Sequence, residues 1–263
     1  MLALAALALG TIIGSFLNVV IHRYPREESI VFPPSRCPHC ERQIKPYDNV
    51  PVVSWLILRG KCRSCRAPIS ARYPVVELAN GLFYMAVFQR TGPTLGFVLV
   101  SAIVSMLLVL IYIDLDIQIL PDVIDLPGVV IGLLIGFLNL GALHPDLMLA
   151  KDLVDSLIGA VLGAGVLLGI ALTYKLVRKV EGMGLGDVKM MAMLGAFVGW
   201  EPLLPLLLIA SILGAAAGVI VAANDPRGFQ VAIPFGVFLG IAALIVLFFG
   251  PTLWQWYLGL LLR

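Results

Sequence analysis

The sequence predicts an all-α polytopic membrane protein, with about eight transmembrane helices and one small cysteine-bearing loop domain. Three observations predict it. Of 263 residues, 60% are hydrophobic and only 13% charged, whereas a soluble domain carries about 25% charged residues. The apolar residues fall into blocks near the length that crosses a bilayer core, about 20 residues. One long polar segment, 23–72, interrupts them near the N-terminus and holds all four cysteines. The net charge of +2 says less than its distribution.

The first block runs from Leu2 to Ile21, and its positive charge (His22, Arg23, Arg26) follows it. A cleaved secretory signal has the charge in front and a small-residue cleavage site behind, so residues 1–22 are expected to form an uncleaved first span. Segment 23–72 carries ten basic residues (Arg23, Arg26, Arg36, Arg42, Lys45, Arg59, Lys61, Arg63, Arg66, Arg72) against four acidic ones (Glu27, Glu28, Glu41, Asp48). Such a lysine and arginine excess marks a loop as cytoplasmic. Residues 73–263 are expected to form the remaining bundle, with spans near 74–90, 94–113, 123–142, 155–174, 187–200, 202–222 and 231–250. Alternating sides from the basic loop places Asp114–Asp122, Lys175–Lys179 and the glycine stretch 182–186 inside, and the tail with Trp254, Trp256, Tyr257 and Arg263 outside. No internal repeat is apparent by eye.

Within the loop, Cys37-Pro-His-Cys40 and Cys62-Arg-Ser-Cys65 are two C-x2-C pairs with 21 residues between them. Each pair grips a metal from a tight knuckle, and two pairs complete a tetrahedron of thiolates, the closed set that structural zinc uses. Two disulfides are the plainer alternative, but they belong to oxidising compartments and the loop reads as cytoplasmic. His39 is not expected to bind metal, since four sulfurs fill the shell. The expectation is a zinc ribbon held by Cys37, Cys40, Cys62 and Cys65.

An ionisable group in a membrane segment is costly and is by default a functional candidate. Several acids have structural explanations. Asp122, after Pro121, suits a helix cap with Asp125 as its partner, and Asp152 and Asp155 sit in a loop. Asp187 suits a cap for a helix from 188, which does not explain Gly184 and Gly186 before it. Those glycines permit positive φ and close backbone approach. Asp114 ends a spanning block, where the helix dipole disfavours negative charge; Asp116 competes for the same role. Asp114 and Asp187 both fall on the inner face. Two adjacent carboxylates share a proton; the ionised one activates water and the protonated one donates to a peptide carbonyl. That is aspartic proteolysis without a metal.

At this point the chain resembles the type IV prepilin peptidases, bifunctional leader peptidases and N-methyltransferases of type IV pilus and type II secretion systems. The resemblance is carried by 14–25 (GSFLNVVIHRYP), the paired cysteines, 73–77 (YPVVE), 114–122 (DLDIQILPD), Gly184-Leu-Gly-Asp187 with Lys189, and Ile233-Pro-Phe-Gly236. It implies that Asp114, ahead of Leu-Pro-Asp, and Asp187 of the G-x-G-D motif are the catalytic pair, with Gly184, Gly186, Lys189 and Glu77 in support. It implies cleavage of prepilin and pseudopilin leaders after a glycine at the cytoplasmic face of the bacterial inner membrane, then methylation of the new N-terminus from S-adenosylmethionine. The peptidase core is expected over about 94–250, and the zinc loop is associated with methylation. Val237 departs from the proline that many members carry there.

The methyl-transfer site is not legible from residue chemistry. Gly159-Ala-Val-Leu-Gly163 lies in a spanning block, where small residues pack helices; Glu77, Asn18 and His22 are candidates. Glu77 has a plainer reading as a pair with Arg72, and Lys189 as a side chain snorkelling to the interface. The partners expected are prepilins and the lipid bilayer, with no nucleic acid. The competing reading is an ion or proton carrier whose intramembrane aspartates bind the ion; a transport acid belongs near the midplane, whereas these two fall at helix ends.

Overall fold

The computed structural model describes residues 1–180, 183–226, 228 and 231–261, with the side chains of 254 and 256–261 left outside the description. Gly182, Arg263 and the side chains of Trp254, Trp256 and Tyr257 therefore lie outside the described residues. Among the described residues there are ten α-helices and no strand: α1 (Leu2–Arg23), α2 (Val53–Ile57), α3 (Arg72–Thr91), α4 (Leu95–Ile117), α5 (Asp122–Phe137), α6 (Leu140–Leu143), α7 (Leu153–Arg178), α8 (Leu185–Val198), α9 (Leu203–Asn224) and α10 (Phe235–Leu261). They form two compact units, Met1–Val109 and Leu110–Arg263, whose boundary falls within α4.

Among the described residues, five helical stretches are long and apolar enough to cross a membrane: Leu2–Arg26, α4, α7, α9 and Phe235–Leu253 of α10. The other three predicted blocks are helical too. However, α3 carries Arg72, Glu77, Asn80 and Arg90, and α5 and α8 have only 16 and 14 residues. Two predicted edges move. The block 123–142 breaks after Phe137, where Asn139 takes a left-handed conformation (φ 51°) before the single turn of α6. The last helix starts later, at Phe235, and continues through Pro251 to Leu261.

In the first unit α1 packs on α3 through glycines. A Cβ on Gly10 would fall 2.8 Å from the Gly81 Cα, and one on Gly14 would fall 2.7 Å from the Glu77 Cα. Small residues let two membrane helices approach this closely. The buried Asn80 ties the pair together: its amide donates to the Gly10 carbonyl at 2.7 Å and its oxygen accepts from Ser105 at 3.0 Å. Ser105 in turn meets the Tyr84 hydroxyl at 3.0 Å.

In the second unit α8 is the central element. Met190, Met191, Met193, Leu194 and Phe197 are all fully buried, as a helix apolar on every face requires. Gly159 of α7 meets Gly195 backbone to backbone, and Gly163 lies against the Met191 carbonyl, so the glycine run packs helices as its spacing predicts. Ser156 donates to the Ala196 carbonyl at 2.5 Å, and Gly132 of α5 abuts Ala196. By contrast, Leu204, Leu208, Ile212 and Ile220 of α9 are exposed, an apolar surface suited to lipid.

Candidate active site and metal centre

The loop between α1 and α3 is built from one small unit used twice. Cys37 N–H donates to Arg42 O and Glu41 N–H to Cys37 O, while Cys62 N–H donates to Ala67 O and Arg66 N–H to Cys62 O. Glu41 (φ 54°) and Arg66 (φ 61°) take the left-handed turn that closes each knuckle. Paired bridges flank them, Arg36 with Gln43 and Lys61 with Pro68. Segment 35–44 is thus repeated at 60–69, which the sequence reading missed because only the cysteines and Ile44/Ile69 recur.

The two knuckles bring Cys37, Cys40, Cys62 and Cys65 together, with all four sulfurs within 4.8 Å of one another. Cys37 Sγ and Cys65 Sγ are 3.7 Å apart. A tetrahedron with metal–sulfur bonds of about 2.3 Å places its sulfurs about 3.8 Å apart, the spacing of Cys37 and Cys65, so this cluster could hold a metal ion. Backbone N–H groups of Cys65 and Ser64 pull the Cys62 thiol down to about 6. At Cys65 a hydrogen bond from Ala67 N–H acts in the same direction but is outweighed by burial and the neighbouring sulfurs, which push that thiol up to about 11. The Cys62 thiolate thus forms readily, and a bound cation would favour the same at Cys65. Arg63 clamps Asp48 across the loop at 2.7 Å, and this hydrogen bond holds the Asp48 carboxyl below its ordinary range. Its contribution to loop stability is present above the ordinary carboxylate pKa and is lost as pH falls through the lowered value.

The second unit gathers the acids. Asp114 lies in the last turn of α4 and is buried; Asp116 is exposed. The dipole of α4 disfavours a charge there, but the structure supplies a compensation that the sequence did not suggest. Asp114 Oδ2 accepts the Val237 N–H at 2.9 Å, and the Gly236 N–H is a second donor. Both belong to the first turn of α10, whose orphan N–H groups favour an anion. Gly236 allows the approach, since a Cβ there would fall 2.8 Å from Asp114 Oδ2.

Asp187 sits in the first turn of α8, half-buried, and reaches back to the N–H of Gly184 at the N-cap. It therefore caps α8 from inside the helix, as the third residue of a capping box does. Leu120 links the two acids: it lies against both Gly186 and Gly236, and Asp187 feels the charge of Asp114. Asp114 and Asp187 thus come together where the end of α4 meets the starts of α8 and α10.

The glycines of the motif act differently from the sequence expectation. Gly184 has φ −74°, and neither it nor Gly186 adopts a positive φ. Gly186 provides room, since a Cβ there would fall 2.9 Å from Leu120 Cβ. At Gly184 the nearest atoms to an added Cβ are at 3.8 Å, an ordinary contact. Gly186→Ala is therefore expected to displace Leu120 and cost about 1–3 kcal/mol by overpacking, with activity falling alongside. Gly184→Ala is expected to leave the thermal midpoint unchanged. Equal effects in paired melting and cleavage assays would refute this division of roles.

The Lys189 ammonium holds both Asp122 oxygens at 2.7 Å, joining α8 to α5. Two further expectations are corrected. Asp122 makes no cap, because the N-cap of α5 is Pro121, with no side-chain bond. Asp125 is consequently not a cap partner. It is fully buried, neither carboxylate oxygen has a hydrogen-bond partner among the described residues, and it lies near Asp122, Lys189 and Asp187. A partnerless buried polar group costs about 1–3 kcal/mol, so Asp125→Ala is expected to raise the thermal midpoint, and a fall would show that Asp125 has a partner. Glu77, in the first unit, does not pair with Arg72. Its Oε2 accepts the Val52 N–H at 2.7 Å, and Ser15 is its second donor.

Comparison with known proteins matches both halves of the chain. Residues 8–91 match the bacterial peptidase A24 N-terminal domain, and residues 101–219 match the type IV leader peptidase family. A prepilin leader peptidase/N-methyltransferase of Stutzerimonas stutzeri is 40% identical, over 97% of this chain and 93% of that protein. Its counterpart in Aeromonas hydrophila is 39% identical, over 94% of this chain and 90% of its own length. One from Myxococcus xanthus is 42% identical over 81% of this chain. No solved structure matches. With relatives of this identity aligned along nearly its whole length, the chain belongs to the type IV leader peptidase family.

Proposed function

We propose that this protein removes the leader of type IV prepilins and pseudopilins, cutting after a glycine at the cytoplasmic face of the bacterial inner membrane. It then methylates the exposed amine from S-adenosylmethionine. Its relatives, aligned along almost the entire chain, are named for both activities. The observation that carries the peptidase reading is the meeting of Asp114 and Asp187 around Leu120.

In this reading the two aspartates share one proton. The ionised member draws a proton from water as its oxygen adds to the scissile carbonyl, whose oxygen the other member protonates; the carbon–nitrogen bond then breaks as the first acid returns its proton to the leaving amine and the second recovers its own from the hydroxyl. Gly184 and Gly186 shape the start of α8, and Lys189 fixes it to α5 through Asp122. The four cysteines hold a zinc ion in a closed, structural set; methyl transfer draws on the donor's electrophilic methyl group, with Glu77 in support. Eight helices cross the membrane (α1, α3, α4, α5, α7, α8, α9 and α10). Residues 1–22 form the first span, 23–72 the cytoplasmic zinc loop associated with methylation, and 73–263 the bundle, with the peptidase core at about 94–250.

The reading is tested with detergent-purified protein and a synthetic prepilin, by following leader release and transfer of labelled methyl to the product. An ion carrier would release no leader, and the family match does not favour that alternative. Release at a bond not preceded by glycine would also overturn the assignment.

A further inference from the structure

The first unit contains a cavity of about 430 Å³, within the range of small-molecule sites, about 300–1,000 Å³. Its walls come from the end of α1 (Ser15, Asn18, His22), from α2 and the knuckles, and from the start of α3 (Tyr73, Glu77). Glu77 is the unusual member. It is only 8% exposed, yet its donors are one backbone N–H and one hydroxyl, and no cationic side chain pairs with it among the described residues. Desolvating an unpaired charge is costly, so a buried carboxylate that lines a cavity favours a cation there. The donor at Val52 comes at a cost as well. Val52 has φ 60° and ψ −51°, a conformation that a β-branched residue rarely adopts, and such strain gathers at ligand sites.

The fold therefore presents to this cavity a carboxylate with no cation of its own, while Arg23, Arg36, Arg42 and Arg63 stand elsewhere in the lining. We propose that the cavity binds the sulfonium donor S-adenosylmethionine and that Glu77 takes up its positive charge. This rests on the methyltransferase reading above. A nucleoside joined to an amino acid suits the volume. Trp55, fixed by its indole N–H to the Ile69 carbonyl at 3.1 Å, offers an aromatic wall, and Arg36 and Arg42 in the same lining offer cations to the donor's carboxylate. A sulfonium is the better match for Glu77 than the substrate's amine. The amine reacts only after losing its proton, whereas the sulfonium keeps its charge until the methyl departs. In the transfer the carbon–sulfur bond breaks with its electron pair left on sulfur, the carbon–nitrogen bond forms, and the amine's extra proton passes to water. The product is a neutral thioether, so Glu77 favours the donor over the spent product.

The test is equilibrium binding to the full-length protein in detergent, with S-adenosylmethionine, its demethylated thioether S-adenosylhomocysteine, and sinefungin, which carries an ammonium in place of the sulfonium. The two cations are expected to bind at least about tenfold more tightly than the thioether, following the strength of a charge-assisted contact. Glu77→Gln is expected to erase that preference while leaving thioether binding within about twofold. Hydrogen-exchange protection by the donor on the unmodified protein is expected at 15–22, 52–55 and 73–77, which keeps the test valid even if Glu77→Gln folds poorly. Protection confined elsewhere, or equal binding of donor and thioether, overturns the proposal. So does Glu77→Gln leaving donor binding intact while raising the KM for the processed peptide, because the charge would then belong to the amine. A wild-type protein that transfers no methyl would refute the methyltransferase reading itself. Transfer with donor protection elsewhere would refute only the assignment of this cavity.

Discussion

Asp114→Asn and Asp187→Asn are each expected to lower prepilin cleavage by about 10²–10⁴-fold, the contribution of a positioned acid or base, and the double variant little further, because a pair that shares a proton fails as a unit. The asparagine substitutions preserve the local structure. An amide oxygen at position 114 still accepts the Val237 N–H that Asp114 takes at 2.9 Å, and one at position 187 still reaches the Gly184 N–H. Thermal midpoints are therefore expected to stay close to wild type, which separates lost chemistry from lost fold. Asp116→Ala is the control: its side chain is exposed, and it is expected to cleave at a rate within a few-fold of wild type. Full activity in either single asparagine variant would remove the dyad from the account.

Metal removal is expected to have the second largest effect. Bound metal and folded loop are one equilibrium in domains this small, with apparent binding energies of about 10–16 kcal/mol for structural zinc. Apart from the metal, the region 35–69 is held by two isolated bridges, the clamp between Arg63 and Asp48, Trp55 packed over Gly60 and bonded to Ile69, and single bonds from Ser54 to Tyr47 and from Val52 to Glu77. A chelator strong enough to strip the ion, or Cys37→Ser with Cys62→Ser, is expected to abolish amide protection across both knuckles. Elemental analysis should find one zinc per chain in the wild type and none in the double variant. A loop that keeps its protection without metal would show that the cysteines are not its framework.

Much of this was legible in the sequence because it depends on local pattern. Apolar blocks near 20 residues gave each long helix, and C-x2-C spacing gave the four-sulfur cluster, since both are set by rules acting over a few residues. Asp114 and Asp187 could be named, but the group that supports Asp114 could not. That group is a backbone N–H of Val237, and a backbone donor leaves no mark on residue identity. The family likeness pointed to residues 233–236 without giving the reason, which is that Gly236 lets the α10 terminus reach the carboxylate. Asp122 was read as a cap for a related cause. It looked complete within its own helix, and only tertiary packing makes Lys189 its partner. Asp125 looked like an ordinary cap-turn acid, and nothing in its neighbours along the chain signals that it is sealed away.

The shortness of α8 has a consequence for the route to the acids. Fourteen residues reach only about 21 Å at 1.5 Å per residue, against a hydrocarbon layer of about 30 Å. The helix is anchored at its far end, where Ala150 N–H bonds to the Phe197 carbonyl and Trp200 N–H to Asp155. In the eight-span reading proposed above, a helix this short cannot bring both its ends to the headgroups, so Asp187 at its start would lie within the layer, and water and the leader would both have to be admitted to it before a cut.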